Sequence, residues 1–192
     1  KDNEFKRLTS KSIDFLLCFS LPIIIISEAY APGIIRILAG EGFGGAVISM
    51  RIVMPLMLII GYEQIIILQM LFPLKKDKII LTNSFIGAGV ALLMDLILVP
   101  KFGSVGSALV WCFSEIAVLL SAQHFVTKYV GYHFPAKKIF VSVASLLPSL
   151  VIAVLVDQII PNWIVAMIVG SILVFVYFFV VEYYLLKNMI SL

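Results

Sequence analysis

Residues 91–108 read ALLMDLILVPKFGSVGSA. An apolar run that carries one carboxylate, Asp95, ends in a Pro-Lys-Phe-Gly turn, after which small and apolar residues resume at once. Apolar segments on both sides of so short a turn predict two antiparallel helices. Because neither segment has the polar face of a soluble helix, the pair is typical of helices in lipid, where each segment bonds its own backbone groups.

The whole chain shares this composition. Of its 192 residues, 62% are hydrophobic and 13% are charged, whereas soluble domains average about 45–50% and about 25%. The mean hydropathy is +1.13. So few charged side chains could not cover a soluble fold of this length, and we expect an all-α, polytopic membrane helix bundle in contact with membrane lipid. No basic stripe with interleaved aromatic residues is present, so nucleic acid is not an expected partner.

Six apolar stretches are long enough to cross a hydrocarbon core of ~30 Å as transmembrane helices. The segments APG (31–33) and GEGFGG (40–45) are expected to separate the first two, and PKFG (100–103) the third and fourth. Proline removes a backbone hydrogen bond, so bends are expected at Pro22, Pro55 and Pro148. The expected spans are residues 13–30, 47–71, 79–99, 104–126, 139–160 and 163–186.

Basic residues are unevenly divided between the two sides of this topology. Of the 14 Lys and Arg residues, all but Arg36, Arg51 and Lys101 fall on the side that holds both chain ends. The positive-inside rule places that side in the cytoplasm. An even number of spans also requires both termini on one side, so the two arguments agree.

Polar side chains inside the spans are the candidates for an ion or substrate path. A charge near the bilayer centre adds about 2.5–3.5 kcal/mol to insertion and usually faces a bundle interior or a wet cavity. Glu63 and Glu115 are the deepest, with Gln64 beside Glu63, and Asp95 lies about one and a half turns from a span end. Arg51 lies near the outer end of span two, where its stem can extend to water. A polar contact between helices is the competing interpretation for the carboxylates.

Asp95 and Glu115 lie on consecutive antiparallel helices but at different depths. Their axial offset is on the order of 9 Å at 1.5 Å per residue, so water or another helix would have to bridge them. Small residues on the same two helices favour close backbone approach. They are Gly87, Ala91, Gly103, Ser104, Ser107 and Ala108.

Motifs for catalysis and cofactor binding are missing from the sequence. It contains no Walker loop, dinucleotide fingerprint, nucleophile elbow or paired-carboxylate motif. His124 and His133 are too sparse for a zinc site, and Cys18 and Cys112 lie in apolar runs. We therefore expect no enzyme activity, no cofactor and no metal.

Four motifs together resemble the C-terminal part of the polysaccharide and O-antigen flippases, in the multidrug/oligosaccharidyl-lipid/polysaccharide exporter superfamily. The likeness covers residues 5–130; residues 131–192 match only as two further hydrophobic spans. Relatives carry an Asn-x-x-Leu-Asn series before the turn of the third span, where this chain has Ala91 and Asp95. The resemblance thus implies that Asp95 occupies an inward-facing polar position. The motifs are LPIIII (21–26), APGIIRILAGEGFGGAVISMRIVMPLMLI (31–59), QMLFPLKKDKIIL (69–81) and GAGVALLMDLILVPKFGSVGSALVWCFSE (87–115).

The resemblance implies export of a polyprenyl-pyrophosphate-linked oligosaccharide across the bacterial inner membrane by alternating access, with H⁺ or Na⁺ as the coupling ion. Family members have two lobes, so the chain would supply the last six spans, and the N-terminal helices of the same transporter would be its partner. Residues 1–130 would form a four-helix part and residues 131–192 two further transmembrane helices. The start at Lys1, without Met, also predicts a piece of a longer protein.

Two other functions stay open from the sequence. A drug or cation exporter of the same superfamily would use the same spans and carboxylates. A membrane enzyme of glycan assembly is less favoured, because such an enzyme needs converging catalytic groups in sizeable outer loops, and the expected outer loops are short.

Overall fold

The computed structural model describes the backbone of residues 2–190 and the side chains of residues 7–181 and 184. The structure is 88% helical, and its described residues form no strand. Six helical stretches are long and apolar enough to cross a membrane, which confirms the predicted all-α, multi-pass fold. The helices are α1 (Asp2–Ala39), α2 (Ala46–Val53), α3 (Leu56–Ile66), α4 (Asp77–Phe102), α5 (Ser104–Val130), α6 (Ala136–Ala144), α7 (Leu147–Ile159) and α8 (Trp163–Ile190).

The first helix is longer than the sequence predicted. α1 continues through Pro32 to Ala39, so the segment APG does not end it. Its backbone departs from helical angles at Tyr30 (φ −107°, ψ 17°), two residues before Pro32. Proline lacks an N–H and its ring clashes with the preceding turn, which places the kink there. Pro22, where a bend was predicted, lies within helical backbone.

The turn between α4 and α5 is also shorter than predicted. α4 runs through Pro100 to Phe102, so only Gly103 separates the two helices. Gly103 has φ 55° and ψ −126°, a backbone conformation that residues with a Cβ rarely adopt. A single residue with reversed φ is therefore enough to turn the chain back on itself.

The breaks predicted at the other two prolines are confirmed. A turn at Met54 and Pro55 separates α2 from α3, and α7 begins with Pro148 in its first turn, after the end of α6. The membrane span that contains α2 and α3 then ends in a π-helical segment, Ile67–Leu71. Its backbone bonds reach five residues back, as from the Phe72 N–H to the Ile67 carbonyl at 2.9 Å.

Contacts divide the chain into two compact units. Unit 1 comprises Lys1–Leu16 and Ile48–Phe134. Its tightest packing is the α4–α5 hairpin, where the Ser114 hydroxyl donates to the Gly87 carbonyl at 3.0 Å. A Cβ added to Gly106 would lie 2.5 Å from the carbonyl oxygen of Leu98. The close approach predicted for this hairpin is present, and at Gly106 it is an approach between the two backbones.

Unit 2 comprises Leu17–Val47 and Pro135–Leu192. α7 packs against α8, and the buried Tyr30 on α1 donates a hydrogen bond to the Ala153 carbonyl at 3.0 Å. Gly170 on α8 leaves the space that the Tyr30 ring occupies. The division predicted between residues 130 and 131 stays a prediction, since the contacts group part of α1 with the last three helices.

Candidate functional site

Glu63 lies on the buried face of α3. It shares that face with Leu56 and Ile66, which are also buried, and its own side chain is only 5% exposed. α3 packs against α5 along this face. A carboxyl group therefore occupies a position that the helical pattern would otherwise fill with an apolar side chain.

The partner of Glu63 is Glu115 of α5, whose carboxyl group is within hydrogen-bonding reach. Glu115 is half-buried and also accepts a hydrogen bond from the indole N–H of Trp111 at 3.0 Å. Oε2 of Glu63 is buried and has no hydrogen-bond donor among the described residues. Both side chains lie in the interior of their spans, Glu115 about 16 Å from the start of α5.

Two carboxyl groups that face each other inside the spans constrain each other chemically. An ionised carboxylate only accepts hydrogen bonds, so a bond between the two requires a proton on one of them. If both were ionised, like charges would face each other at low dielectric, which is strongly unfavourable. The pair can therefore hold one exchangeable proton, or a cation in its place.

A hydrogen-bonded polar cluster lies toward the other end of α5. The Tyr62 hydroxyl donates to Oε1 of Gln123 at 2.7 Å. The Gln123 amide donates to the Thr127 hydroxyl at 3.0 Å and to the Tyr132 carbonyl at 2.9 Å. Phe134 meets the Tyr62 ring edge-to-face at 5.1 Å. The cluster ties α3 and α5 to the segment that follows α5.

Tyr132 lies outside the membrane spans, in the connection between α5 and α6. Burial, followed by the negative charge of Asp14, raises the pKa of its hydroxyl above the ordinary value. The hydroxyl therefore stays neutral at physiological pH.

Asp95 is exposed on α4, and no described residue forms a hydrogen bond or ion pair with it. Within this chain the side chain does not enter the packed core, and the inward-facing position implied by the resemblance stays a prediction. At 100° per residue, Asp95 lies about 80° around α4 from Gly87, which faces α5, so its side chain falls at the edge of the packed face. Exposed leucines flank it, Leu92 at 65% and Leu96 at 71%.

The offset predicted between Asp95 and Glu115 agrees with the observed register of the hairpin. Gly87 lies against Ser114 and Val118, and Gly106 lies against Leu98. This register places Glu115 about six residues, or about 9 Å, beyond the level of Asp95. The hairpin therefore does not bring these two carboxylates together.

Gln64 and Arg51, the remaining sequence candidates, are both exposed. Gln64 follows Glu63 by one residue, which turns it about 100° away from the buried face of α3. Arg51 is in the last turn of α2, where a cation interacts favourably with the helix dipole. Neither side chain lies with the carboxyl pair.

Sequence reasoning named Glu63 and Glu115 separately and missed their pairing. It also missed Tyr62 and Gln123. For Tyr62 a signal was available in its position on α3. The buried residues of that helix recur at helical spacing and include Tyr62 and Glu63, which a count of apolar residues alone does not reveal.

Comparison of the chain with protein-family models, with curated proteins and with solved structures finds no match in any of the three. The fold places the chain among multi-pass α-helical membrane proteins.

Proposed function

We propose that the chain is the C-terminal portion of an ion-coupled membrane exporter that moves a polyprenyl-pyrophosphate-linked oligosaccharide outward across the bacterial inner membrane. The observation that carries the coupling is the Glu63–Glu115 pair inside the membrane spans. Paired ionisable groups within membrane helices typically belong to ion paths and proton relays. Both termini are cytoplasmic in this proposal.

The pair gives the exporter a way to link protonation to movement. With one shared proton, the carboxyl groups of Glu63 and Glu115 attract each other and hold α3 against α5. When that proton leaves, two negative charges repel across a short distance, and the two helices favour separation. A proton gradient could therefore bias two arrangements of the α3–α5 contact, as alternating access requires.

The substrate in this proposal comes from the sequence motifs rather than from a bound ligand. The order of motifs over residues 5–130 resembles polysaccharide flippases and supports a lipid-linked glycan. We favour transport over glycan synthesis, because the polar side chains that converge in unit 1 lie within spans and in the connection after α5.

The test replaces each carboxylate of the pair in the intact protein. The host is a bacterium that needs this protein to make surface polysaccharide. Glu63→Gln and Glu115→Gln keep the side-chain volume and a hydrogen bond, so the protein level in the membrane should be preserved. We expect surface polysaccharide to fall roughly tenfold or more, which corresponds to about 1.4 kcal/mol of lost coupling. Surface polysaccharide is measured against the amount of membrane-inserted protein.

Gln64→Ala is the matched control, since Gln64 neighbours Glu63 but is exposed. Normal export by both Gln variants would remove the pair from the mechanism. Drug sensitivity with unchanged polysaccharide would instead identify an exporter of drugs or cations. Export that persists in a Na⁺-free medium and collapses with the proton gradient would assign the coupling to H⁺.

A further inference from the structure

Unit 2 contains a cavity of about 320 Å³ where α1, α7 and α8 come together at one end. That volume is at the lower end of the range of about 300–1,000 Å³ for small-molecule sites. Besides Tyr30, its polar lining includes Arg36 near the end of α1, Asp157 near the end of α7, and Trp163 at the start of α8. The charge distribution predicts this end to be the outer surface of the membrane, where Trp is typical of the headgroup level.

The Arg36 guanidinium is fixed at the cavity by two neighbours. It lies over the Trp163 ring, 5.2 Å from the ring centre, and it forms an ion pair with Glu41. Gly33 allows the ring to approach, since a Cβ there would lie 3.2 Å from Trp163 Cε3. A guanidinium has five N–H donors, so the single contact with Glu41 leaves others to face an anion.

Asp157 gives the same cavity a negative charge. Its side chain is exposed, and no described residue forms a hydrogen bond or ion pair with it. An anion held by Arg36 would thus lie in a cavity that also offers a carboxylate. Charge complementarity favours a ligand that carries both signs.

A long apolar groove of about 620 Å³ also lies in unit 2, and Met167 lines both the groove and the charged cavity. Its residues on α8 recur at helical spacing over about 18 Å, more than half of a hydrocarbon core of ~30 Å. Its lining is almost entirely apolar. The groove is formed by Ile26, Ile34, Met167, Ile168, Ser171, Ile172, Phe175, Val176 and Phe179.

We infer that unit 2 binds one glycerophospholipid with a primary ammonium in its headgroup, of the phosphatidylethanolamine type. Its phosphate accepts hydrogen bonds from Arg36, its ammonium donates to Asp157, and one acyl chain lies in the groove between α1 and α8. Glu41 is already paired with Arg36, so Asp157 is the charge that would repel a purely anionic head, such as a polyprenyl pyrophosphate. The site is independent of the carboxyl pair in unit 1 and of the proposed function.

The binding test uses the whole 192-residue chain, purified in detergent, with Trp163 as the probe. Trp111→Phe leaves Trp163 as the single tryptophan, because the chain has two. Phospholipids with brominated acyl chains quench a nearby indole, so quenching is titrated with phosphatidylethanolamine and phosphatidylglycerol of the same chains. We expect phosphatidylethanolamine to bind about two- to fivefold more tightly, the range for a partly exposed charge pair.

Variants then distinguish recognition of the lipid headgroup from binding of the acyl chain. Asp157→Asn should make the two lipids bind equally, whereas Lys101→Gln, at an exposed cation outside unit 2, should leave the preference unchanged. Ser171→Phe should fill the groove and weaken binding of both lipids. Leu173→Phe adds the same ring at an exposed position on α8 outside the groove and should not.

Three results would overturn the inference. They are equal affinity for the two lipids in the parent protein, a preference that survives Asp157→Asn, and equal effects of Ser171→Phe and Leu173→Phe. Farnesyl diphosphate and unbrominated phosphatidylethanolamine are each used to displace the brominated phosphatidylethanolamine. If farnesyl diphosphate does so at the lower concentration, the site selects an isoprenoid anion and the assignment is wrong.

Discussion

Gly106 is a residue of the α4–α5 hairpin at which a larger side chain has no space. A methyl group there would meet the Leu98 carbonyl carbon at 2.8 Å and the Val99 Cα at 3.0 Å, which are backbone atoms and cannot rotate away. We expect Gly106→Ala to destabilise the protein by about 1–3 kcal/mol, the usual cost of overpacking. Thermal unfolding in detergent measures the change.

Gly89 provides the comparison on the other helix of the hairpin. It is exposed, and a Cβ there would meet no atom within 4 Å. Gly89→Ala should be neutral or stabilising by up to about 1 kcal/mol, since Ala is the better helix former. Equal destabilisation by the two alanines would show that close packing at Gly106 is not the cause.

Tyr30 and Gly170 form a second close contact, in unit 2. A Cβ at Gly170 would strike the Tyr30 hydroxyl, which donates to the Ala153 carbonyl. We expect Gly170→Ala to lower the stability of the native protein more than it lowers the stability of the Tyr30→Phe variant. The reason is that the phenylalanine variant has already lost that hydrogen bond, worth about 0.5–1.5 kcal/mol.

A double-mutant cycle by thermal unfolding gives the coupling energy between positions 30 and 170. Additive effects of the two substitutions would contradict a shared contact. Ser171→Ala, one residue further along α8, is the matched control and should be additive with Tyr30→Phe.

At the residue scale, the sequence identified which carboxylates are deep but not which of them meet. Depth follows from counting along a span, whereas pairing depends on which faces of α3 and α5 meet. Asp95 shows the same limit: its depth relative to Glu115 agrees with the prediction, whereas its position around α4 could not be obtained by counting. A difference of 80° around a helix separates a packed position from an exposed one. Counting residues along one helix gives depth, but it does not show which face packs until the partner helix is known.

The breaks in the helices show what proline determines and what it leaves open. Pro55 and Pro148 accompany true interruptions, whereas Pro22 and Pro100 are accommodated within α1 and α4. Each proline lacks the same N–H, so the difference depends on whether neighbouring contacts restore the freed carbonyl group. Whether such contacts form depends on tertiary packing, which is why the sequence predicted the number of spans better than their ends.

The polar cluster around Gln123 predicts how firmly the segment after α5 is held. Gln123→Leu removes the acceptor of the buried Tyr62 hydroxyl and both donors to its other partners. An unsatisfied buried group costs about 1–3 kcal/mol, so residues 131–134 should open more readily. Amide hydrogen exchange in that segment measures the opening.

His124→Leu is the control for this experiment. His124 adjoins Gln123 but is exposed, and its described contact is an edge-to-face one with Phe125. Exchange at residues 131–134 should be unchanged in this variant. If both variants accelerate exchange equally, the hydrogen bonds of Gln123 do not hold the segment.

Over the whole molecule, composition alone was sufficient for the fold class and for six spans. A polypeptide of this hydropathy has few alternatives, because helices satisfy their own backbone in lipid and the sequence shows long apolar runs. The grouping into two units could not be read in the same way. It depends on contacts between distant segments, such as Tyr30 with Ala153, that leave no periodic signal.

Orientation is the prediction that belongs to the whole molecule. In a variant whose native Cys18 and Cys112 are replaced by serine, single cysteines at positions 76 and 137 should react with an impermeant reagent only from the cytoplasmic side. A cysteine at position 101 should react only from outside, because positive charge is retained in the cytoplasm. Labelling of intact cells against inverted vesicles measures this, and the reverse pattern would invert the topology.

The π-helical segment at Ile67–Leu71 has a consequence for how this protein can change over evolution. A π turn is equivalent to one extra amino acid inserted into an α-helix without loss of the helix. Loss of one exposed residue there, such as Leu68, would return the segment to ordinary α-helical winding and leave the upstream face that carries Glu63 in register. In α5, by contrast, a one-residue deletion between Glu115 and Gln123 would rotate the carboxyl pair and the polar cluster out of their common register. We therefore expect related sequences to differ in length at Ile67–Leu71 and to keep the same length between Glu115 and Gln123.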